Sequence, residues 1–407
     1  MDAFSASLMA DKREIIFAPT VYKFQTFAQM AEEFKLNERD VVLTNEFIYT
    51  PFMKDLGLKC HYVFQEKFGA GEPSEEMIQV MYDAIPYDSY DRVIAVGGGA
   101  IMDLCKLLGC KRPDTVHNLY FKRFPVVHEK DVIAIPTTCG TGSEVTSFSV
   151  ITDKKNGNIK YPLADYSLTP DVAIIDPQFT WSMPKSIVAD TGLDVLTHAI
   201  EAYVSTMAND YTDGLALHAI EMVFTYLEKS YNGDRLAREK MHNASCIAGM
   251  AFTNAFLGLN HSMAHKLGGE YHIPHGRANA ILLPYVIKYN ATKPTKFASF
   301  PKYKEYVADE RYAKIARRVG LCSAKAPTQE AVDSLISAIE DLMRATERPL
   351  SISACGISEA EFMSKVEELS YKAFEDQCTT ANPVYPLVSE IEELYKAAFY
   401  GKEAKKA

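Results

Sequence analysis

Two short apolar runs constrain the fold of this chain more than any other feature. VIAV at 93–96 runs straight into Gly97-Gly98-Gly99 and then into the helical stretch AIMDLCKLLG, and VIAI at 132–135 leads into the small, hydroxyl-rich PTTCGTGSEVT. Strands that are apolar and β-branched at successive positions suit burial on both faces, the condition of a parallel sheet covered by helices. Further candidate strands lie at 14–17, 41–44, 62–64 and 172–175. Between them stand amphipathic segments such as FQTFAQMAEEFKL and SEEMIQVMYDAI, the latter with Ser74 placed to cap it. The stretch SFSVITDKKNGNIKY has two β-rich arms about Asn156-Gly157 and predicts a hairpin.

After Asp176-Pro177 the pattern changes. DGLALHAIEMVFTYLEKSY and EAVDSLISAIEDLMRAT carry apolar residues at helical spacing, strand candidates nearly vanish, and Pro184 suits a first helical turn. A chain of 407 residues exceeds what one core usually supports, so an α/β dinucleotide-binding domain at 1–183 and an all-helical domain at 184–407 are expected.

The formal charge of −10 argues against nucleic acid or an anionic membrane as the main partner. Eight cysteines without CxxC pairs fit reduced thiols, and no segment has the length of a membrane span, so a cytoplasmic location is expected.

Three glycines between a strand and a helix let the backbone approach a ligand closely, and the free N–H groups of the helix start favour an anion such as pyrophosphate. A bare glycine run is also a common tight turn, and the PTTCGTGSEVT loop could equally cap a helix. Read with the glycine run beside it, that loop could wrap a nicotinamide nucleotide through Thr137, Thr138 and Thr146. Downstream, DTGLDVLTHAIEAYVS puts Asp194 and His198 at i and i+4 on one helix face. The segment HSMAHKLGGEYHIPH then packs four of the ten histidines into one stretch, with His261 and His275 at its ends. One carboxylate and two or three imidazoles from these segments would make a divalent-metal site.

Taken together and in this order, GGGAIMDLCK, AIPTTCGTGSEVT, DTGLDVLTHAIEAY and HSMAHKLGGEYHIPHG resemble the iron-containing (group III) alcohol dehydrogenase family. The resemblance implies a dehydroquinate synthase-like fold with an N-terminal Rossmann-like α/β domain and an all-α C-terminal domain. It makes Asp194, His198, His261 and His275 the metal ligands and places His265 near the nicotinamide. It assigns Gly97, Gly98, Gly99, Ala100, Thr137, Thr138, Thr146, Phe148 and Lys160 to the cofactor. Two positions depart from the family pattern. Ala100 stands where Ser is common, and Asn45 stands where many relatives carry an Asp that accepts from the adenosine ribose and repels a 2′-phosphate. NAD is therefore expected, with NADP open, and Fe2+ is the implied ion, with Zn2+ the alternative.

The stretches VYKF, LTNEFIYTPF and VFQEKFGAGEPSEEM are most similar to family members acting on 4-hydroxybutyrate. The leading expectation is therefore metal- and NAD-dependent interconversion of 4-hydroxybutyrate and succinate semialdehyde. Arg277, or Lys160, would meet the substrate carboxylate, and a relay ending at His265 would supply the proton. The alternatives are the same chemistry on an uncharged primary alcohol or diol (butanol, 1,3-propanediol, lactaldehyde), a dehydroquinate synthase-like lyase, and a non-catalytic sensor. A cleft between the domains would be the natural site, and a homo-oligomer, a dimer, is expected from the family.

Overall fold

The computed structural model describes residues 14–401 apart from 70, 72, 121–122, 156–158 and 297–304. The chain forms two compact units, one of Phe17–Met183, the other of the residues through Ile16 together with those from Pro184 onward.

In the first unit, β1 (Thr20–Tyr22), β2 (Asp40–Thr44), β3 (His61–Phe64), β4 (Arg92–Gly97), β5 (Asp131–Pro136) and β8 (Val172–Ile174) form a six-stranded sheet in the order β1-β8-β5-β4-β2-β3. Every pairing in it is parallel. Because successive side chains point to opposite faces, the apolar runs divide between two cores. Val41, Leu43, Val93, Ala95, Val132 and Ala134 pack with Met77, Ile78, Ile101 and Leu104. Val42, Ile94, Val96, Ile133, Ile135 and Ile174 pack with Phe27, Met30 and Ile48 on the other side.

Helix α1 (Phe27–Glu33) and α2 (Glu46–Phe52) thus cover one face, while α3 (Glu75–Ala84) and α4 (Gly99–Leu108) cover the other. Strands β2 and β4 are neighbours, yet the helices that follow them leave to opposite faces, which opens a switch point at their carboxyl ends, the place where such sheets bind nucleotides. Ser74 caps α3, its hydroxyl accepting from the Met77 N–H at 3.3 Å. The hairpin arms pair antiparallel as β6 (Phe148–Asp153) and β7 (Ile159–Ala164), while Asn156-Gly157 lies outside the described residues.

The strand expected at 14–17 does not form. Its backbone is bound by side chains instead: Ile16 N–H donates to Asn254 Oδ1 at 2.7 Å, and Asn209 Nδ2 donates to Glu14 O at 2.6 Å. The first strand is the short, exposed β1.

Among its described residues the second unit forms helices and no strand. After the short α5 (His117–Tyr120) of the first unit come α6 (Lys185–Val204), α7 (Asp210–Tyr231), α8 (Arg235–Ala255), α9 (Leu259–Tyr271) and α10 (His275–Asn290). Four more follow: α11 (Ala308–Val319), α12 (Thr328–Ala345), α13 (Glu359–Phe374) and α14 (Val388–Tyr400). Pro184 takes the cap position just before α6. Helix α6 is buried on nearly every side and packs against α7, α8 and α10. No helix among the described residues is long and apolar enough to cross a membrane.

Ile94 is fully buried at the centre of the sheet, so Ile94→Ala should destabilise the first unit by about 2–5 kcal/mol, read as an earlier denaturant midpoint with an unchanged slope.

Candidate active site

In a helix buried on nearly every side, polar side chains need partners, and α6 carries three on one face: Asp194, His198 and Glu201, at i, i+4 and i+7. Asp194 and His198 meet His261 from the first turn of α9 and His275 from the first residue of α10. One donor atom from each of the four lies within 4.8 Å of the others. Asp194 Oδ1 is 3.9 Å from His261 Nε2 and 3.7 Å from His275 Nε2. The His198 ring stacks between Phe252 at 4.5 Å and His261 at 4.6 Å.

The electrostatics suit a cation. Burial pushes Asp194 up to about 7, against the opposing Asn279 amide, and burial drives His261 well below its ordinary value, so its imidazole is neutral. A carboxylate beside the neutral His261 imidazole is a donor set that a divalent ion favours, and these residues fit one.

Three partners orient the donors. Glu201 accepts from His261 Nδ1, and its other oxygen accepts from the Asn260 N–H at 2.8 Å. That bond leaves the His261 Nε2 lone pair facing Asp194, the usual carboxylate–histidine–metal arrangement. Burial pushes the Glu201 carboxyl up to about 8, opposed by the N–H groups of Asn260, Gly258 and His261. Asn279 Nδ2 donates to Asp194 Oδ1 at 2.7 Å and lies 3.1 and 3.2 Å from Nε2 of His261 and His275. Asn260 Nδ2 in turn donates to Asn279 Oδ1 at 3.0 Å.

Glycine permits the meeting of α6 and α10. A Cβ on Gly276 would stand 2.0 Å from Asp190 O and 3.1 Å from Asp194 Cβ, so any side chain there would force the helices apart.

His265 stacks on His275 at 5.4 Å, and its Nδ1 lies 3.1 Å from Asp376 Oδ2. Lys266 donates to the same oxygen at 2.7 Å. Burial opposes ionisation of Asp376, but Lys266 and His265 outweigh it and hold the carboxyl well below the usual range. Arg277 pairs with Asp190, 3.0 Å from its NH2, and Arg348 shares that carboxylate at 3.3 Å. His272 has φ 54° and forms the left-handed turn that ends α9, while His218 lies beside Glu221 at 3.6 Å.

In the first unit the glycine run closes β4, and the Thr137 N–H donates to Gly97 O at 2.9 Å. A Cβ at Gly97 would come within 2.4 Å of Ile101 Cγ1 in the following helix, and one at Gly99 within 2.9 Å of Thr141 Cγ2, so the two loops meet at Gly99 where no side chain fits. Gly98 precedes α4, and Gly99 and Ala100 open it. Their N–H groups lie in the first turn, where no intrahelical acceptor exists, and this cradle fits a pyrophosphate.

The second loop is fastened from α4. The Lys106 ammonium donates to Ser143 Oγ at 2.8 Å, Thr146 Oγ1 at 3.2 Å and Phe148 O at 2.6 Å, and Asp103 accepts from Ser143 Oγ at 2.7 Å. Thr138 lies within 3.6 Å of a Gly98 Cβ, and Lys160 sits on β7 opposite Thr152. Asn45 follows β2 at the cap position of α2, and its amide faces Glu66 and Gln65.

Glu201, Asn279, Asp376, Lys106 and Thr141 complete these sites without belonging to the set of residues that the sequence pattern singles out. Glu201 alone had a local cue, since it follows Asp194 and His198 on the same helical face.

Comparison with known proteins gives the class. Residues 19–177 match the family described as iron-containing alcohol dehydrogenase, and residues 188–399 match the C-terminal part of the same family. The chain belongs to the iron-containing alcohol dehydrogenase family. It is 52% identical over 344 residues to aldehyde-alcohol dehydrogenase 2 of Entamoeba histolytica, covering 81% of this chain but 39% of that protein. It is 44% identical over 337 residues to an NADPH-dependent butanol dehydrogenase of Clostridium saccharobutylicum, covering 82% of each chain. The solved structure of a sulfoacetaldehyde reductase from Bifidobacterium kashiwanohense in complex with NAD+ superposes with a TM-score of 0.78 at 26% identity, covering 97% of this chain and 99% of that one.

Glu201→Gln should weaken metal affinity by roughly 10–100-fold, read by chelator competition. Gly276→Ala should lower metal content further while far-UV dichroism keeps its helical signal; full metal occupancy in that variant would contradict the close-approach reading.

Proposed function

We propose that this chain is a metal-dependent, NAD-linked alcohol dehydrogenase acting on small uncharged primary alcohols and their aldehydes. The observation that carries this reading is the cluster of Asp194, His198, His261 and His275, whose donors converge to within 4.8 Å, three of them buried and His275 partly so. A divalent ion held there, iron(II) by family or zinc(II) as the alternative, supplies a Lewis acid for the substrate oxygen. The glycine cradle and the Thr137–Thr138 loop hold the nicotinamide nucleotide, which supplies or takes the hydride.

His265 handles the proton. With Nδ1 bound to Asp376, its other nitrogen is left for exchange, and the carboxylate fixes that tautomer. Asp376 is in turn neutralised by Lys266.

The cations beside the histidines favour an uncharged substrate. The two cations adjacent in sequence to the histidines are already committed, Arg277 to Asp190 and Lys266 to Asp376. A substrate carboxylate would have to displace a buried partner from either, which costs more than it returns. The relatives' names, butanol and 1-propanol dehydrogenases among them, support the same choice over 4-hydroxybutyrate. With Fe2+ or Zn2+ restored to the metal-free protein, NADH should form from NAD with butanol and 1,3-propanediol and at least roughly tenfold more slowly with 4-hydroxybutyrate. The reverse order would favour the hydroxy acid, and no NADH with any of them would sink the dehydrogenase reading.

A further inference from the structure

In nucleotide-binding sheets of this kind an acidic residue at a strand end beside the glycine-rich strand accepts from the adenosine ribose and repels a 2′-phosphate. Here β2 is the strand beside β4, with Thr44 in register with Val96, and the next residue is the neutral Asn45. On that residue alone, the chain would have hydrogen-bonding capacity for the ribose but no charge against NADP.

The structure supplies the charge from another strand. Glu66 follows β3, the edge strand paired in parallel with β2, with Thr44 in register with Phe64. One carboxylate oxygen of Glu66 accepts from Asn45 Nδ2 at 3.1 Å and from the Glu46 N–H at 3.2 Å. Asn45 occupies the cap position of α2 without capping it, its side chain being turned to Glu66 and Gln65 instead. Two donors fix the Glu66 oxygen, so the negative charge is held beside Asn45 rather than swept through solvent on a free side chain. Glu46, in the first turn of α2, has the same sign, and the nearby Lys67 ammonium lies over the Phe64 ring, 5.1 Å from its centroid.

We infer that Glu66 is the residue that selects NAD over NADP in this chain, taking from β3 the electrostatic part that an aspartate at position 45 would play, while Asn45 keeps the hydrogen-bonding part. The inference rests on the nicotinamide-nucleotide reading above. A dianionic 2′-phosphate placed at the β2 end would stand against a fixed carboxylate and be repelled by it, the more strongly where the bound nucleotide excludes solvent. Glu66→Gln keeps an acceptor for both donors and removes the charge, so it isolates the electrostatic part.

The test is a fluorescence titration of the metal-loaded protein with NADH and NADPH, wild type against Glu66→Gln, supported by kcat/KM with each nucleotide. Wild type should bind NADH more tightly than NADPH by roughly tenfold or more, and Glu66→Gln should narrow that ratio by roughly tenfold. Most of the change should lie in tighter NADPH binding, with the Kd for NADH moving by less than about threefold. Glu66→Asp, with a shorter arm and the same charge, should retain much of the preference. Tight binding of both nucleotides by wild type, or a ratio that Glu66→Gln leaves unchanged, overturns this inference and leaves the dehydrogenase reading standing. Binding of neither nucleotide overturns both.

Discussion

The approach of α10 to α6 is the contact on which the helical unit's chemistry depends. It brings the first residue of one helix against the middle of another, and backbone meets backbone with no room for a Cβ at Gly276. Because His275 immediately precedes that glycine, the same contact places an imidazole 3.7 Å from the Asp194 carboxylate. Helix α9 is anchored to α6 by a second device, the Glu201 carboxylate, which binds both the backbone of its first turn and the His261 ring. Three helices are therefore fixed relative to one another by the same few polar groups that set the donor geometry.

These groups explain how a helix as buried as α6 tolerates so much polarity. Burial penalises each charge, as the upward displacement of Asp194 and Glu201 shows, and each is met by donors: the Asn279 amide for one, the N–H groups at the start of α9 for the other. Asn260 and Asn279 link the two sides. Deleting any member would leave others buried without partners, so the network is sensitive as a whole.

Much of the fold was legible in the sequence because its strands are apolar on both faces, and five of the six expected sheet strands form. The strand expected at 14–17 failed because the side chain of Asn254, 238 positions away, binds that backbone, which no local pattern records. The true first strand, Thr20–Tyr22, is short and exposed, so burial imposed no alternation on it. The helical spacing of Asp194 and His198 and the histidine-rich stretch 261–275 pointed to a metal site, and the resemblance to the family singled out the four candidate donors within it. Asn279 and Asp376 did not stand out, since their partners lie 85 and 111 positions away and neither residue type is unusual in its own segment. The charge beside Asn45 was hidden for a related reason, being supplied by a neighbouring strand.

Anomalous diffraction from crystals soaked in iron(II) tests the central claim most directly. The account predicts one dominant peak among Asp194, His198, His261 and His275, with Glu201 outside the coordination sphere and bound to His261. Two other groups of metal-binding side chains exist among the described residues, His265 with Asp376 and Cys378, and Glu75 with His117 and Asp153. A dominant peak at either of them, or no ordered ion among the four donors, would contradict it.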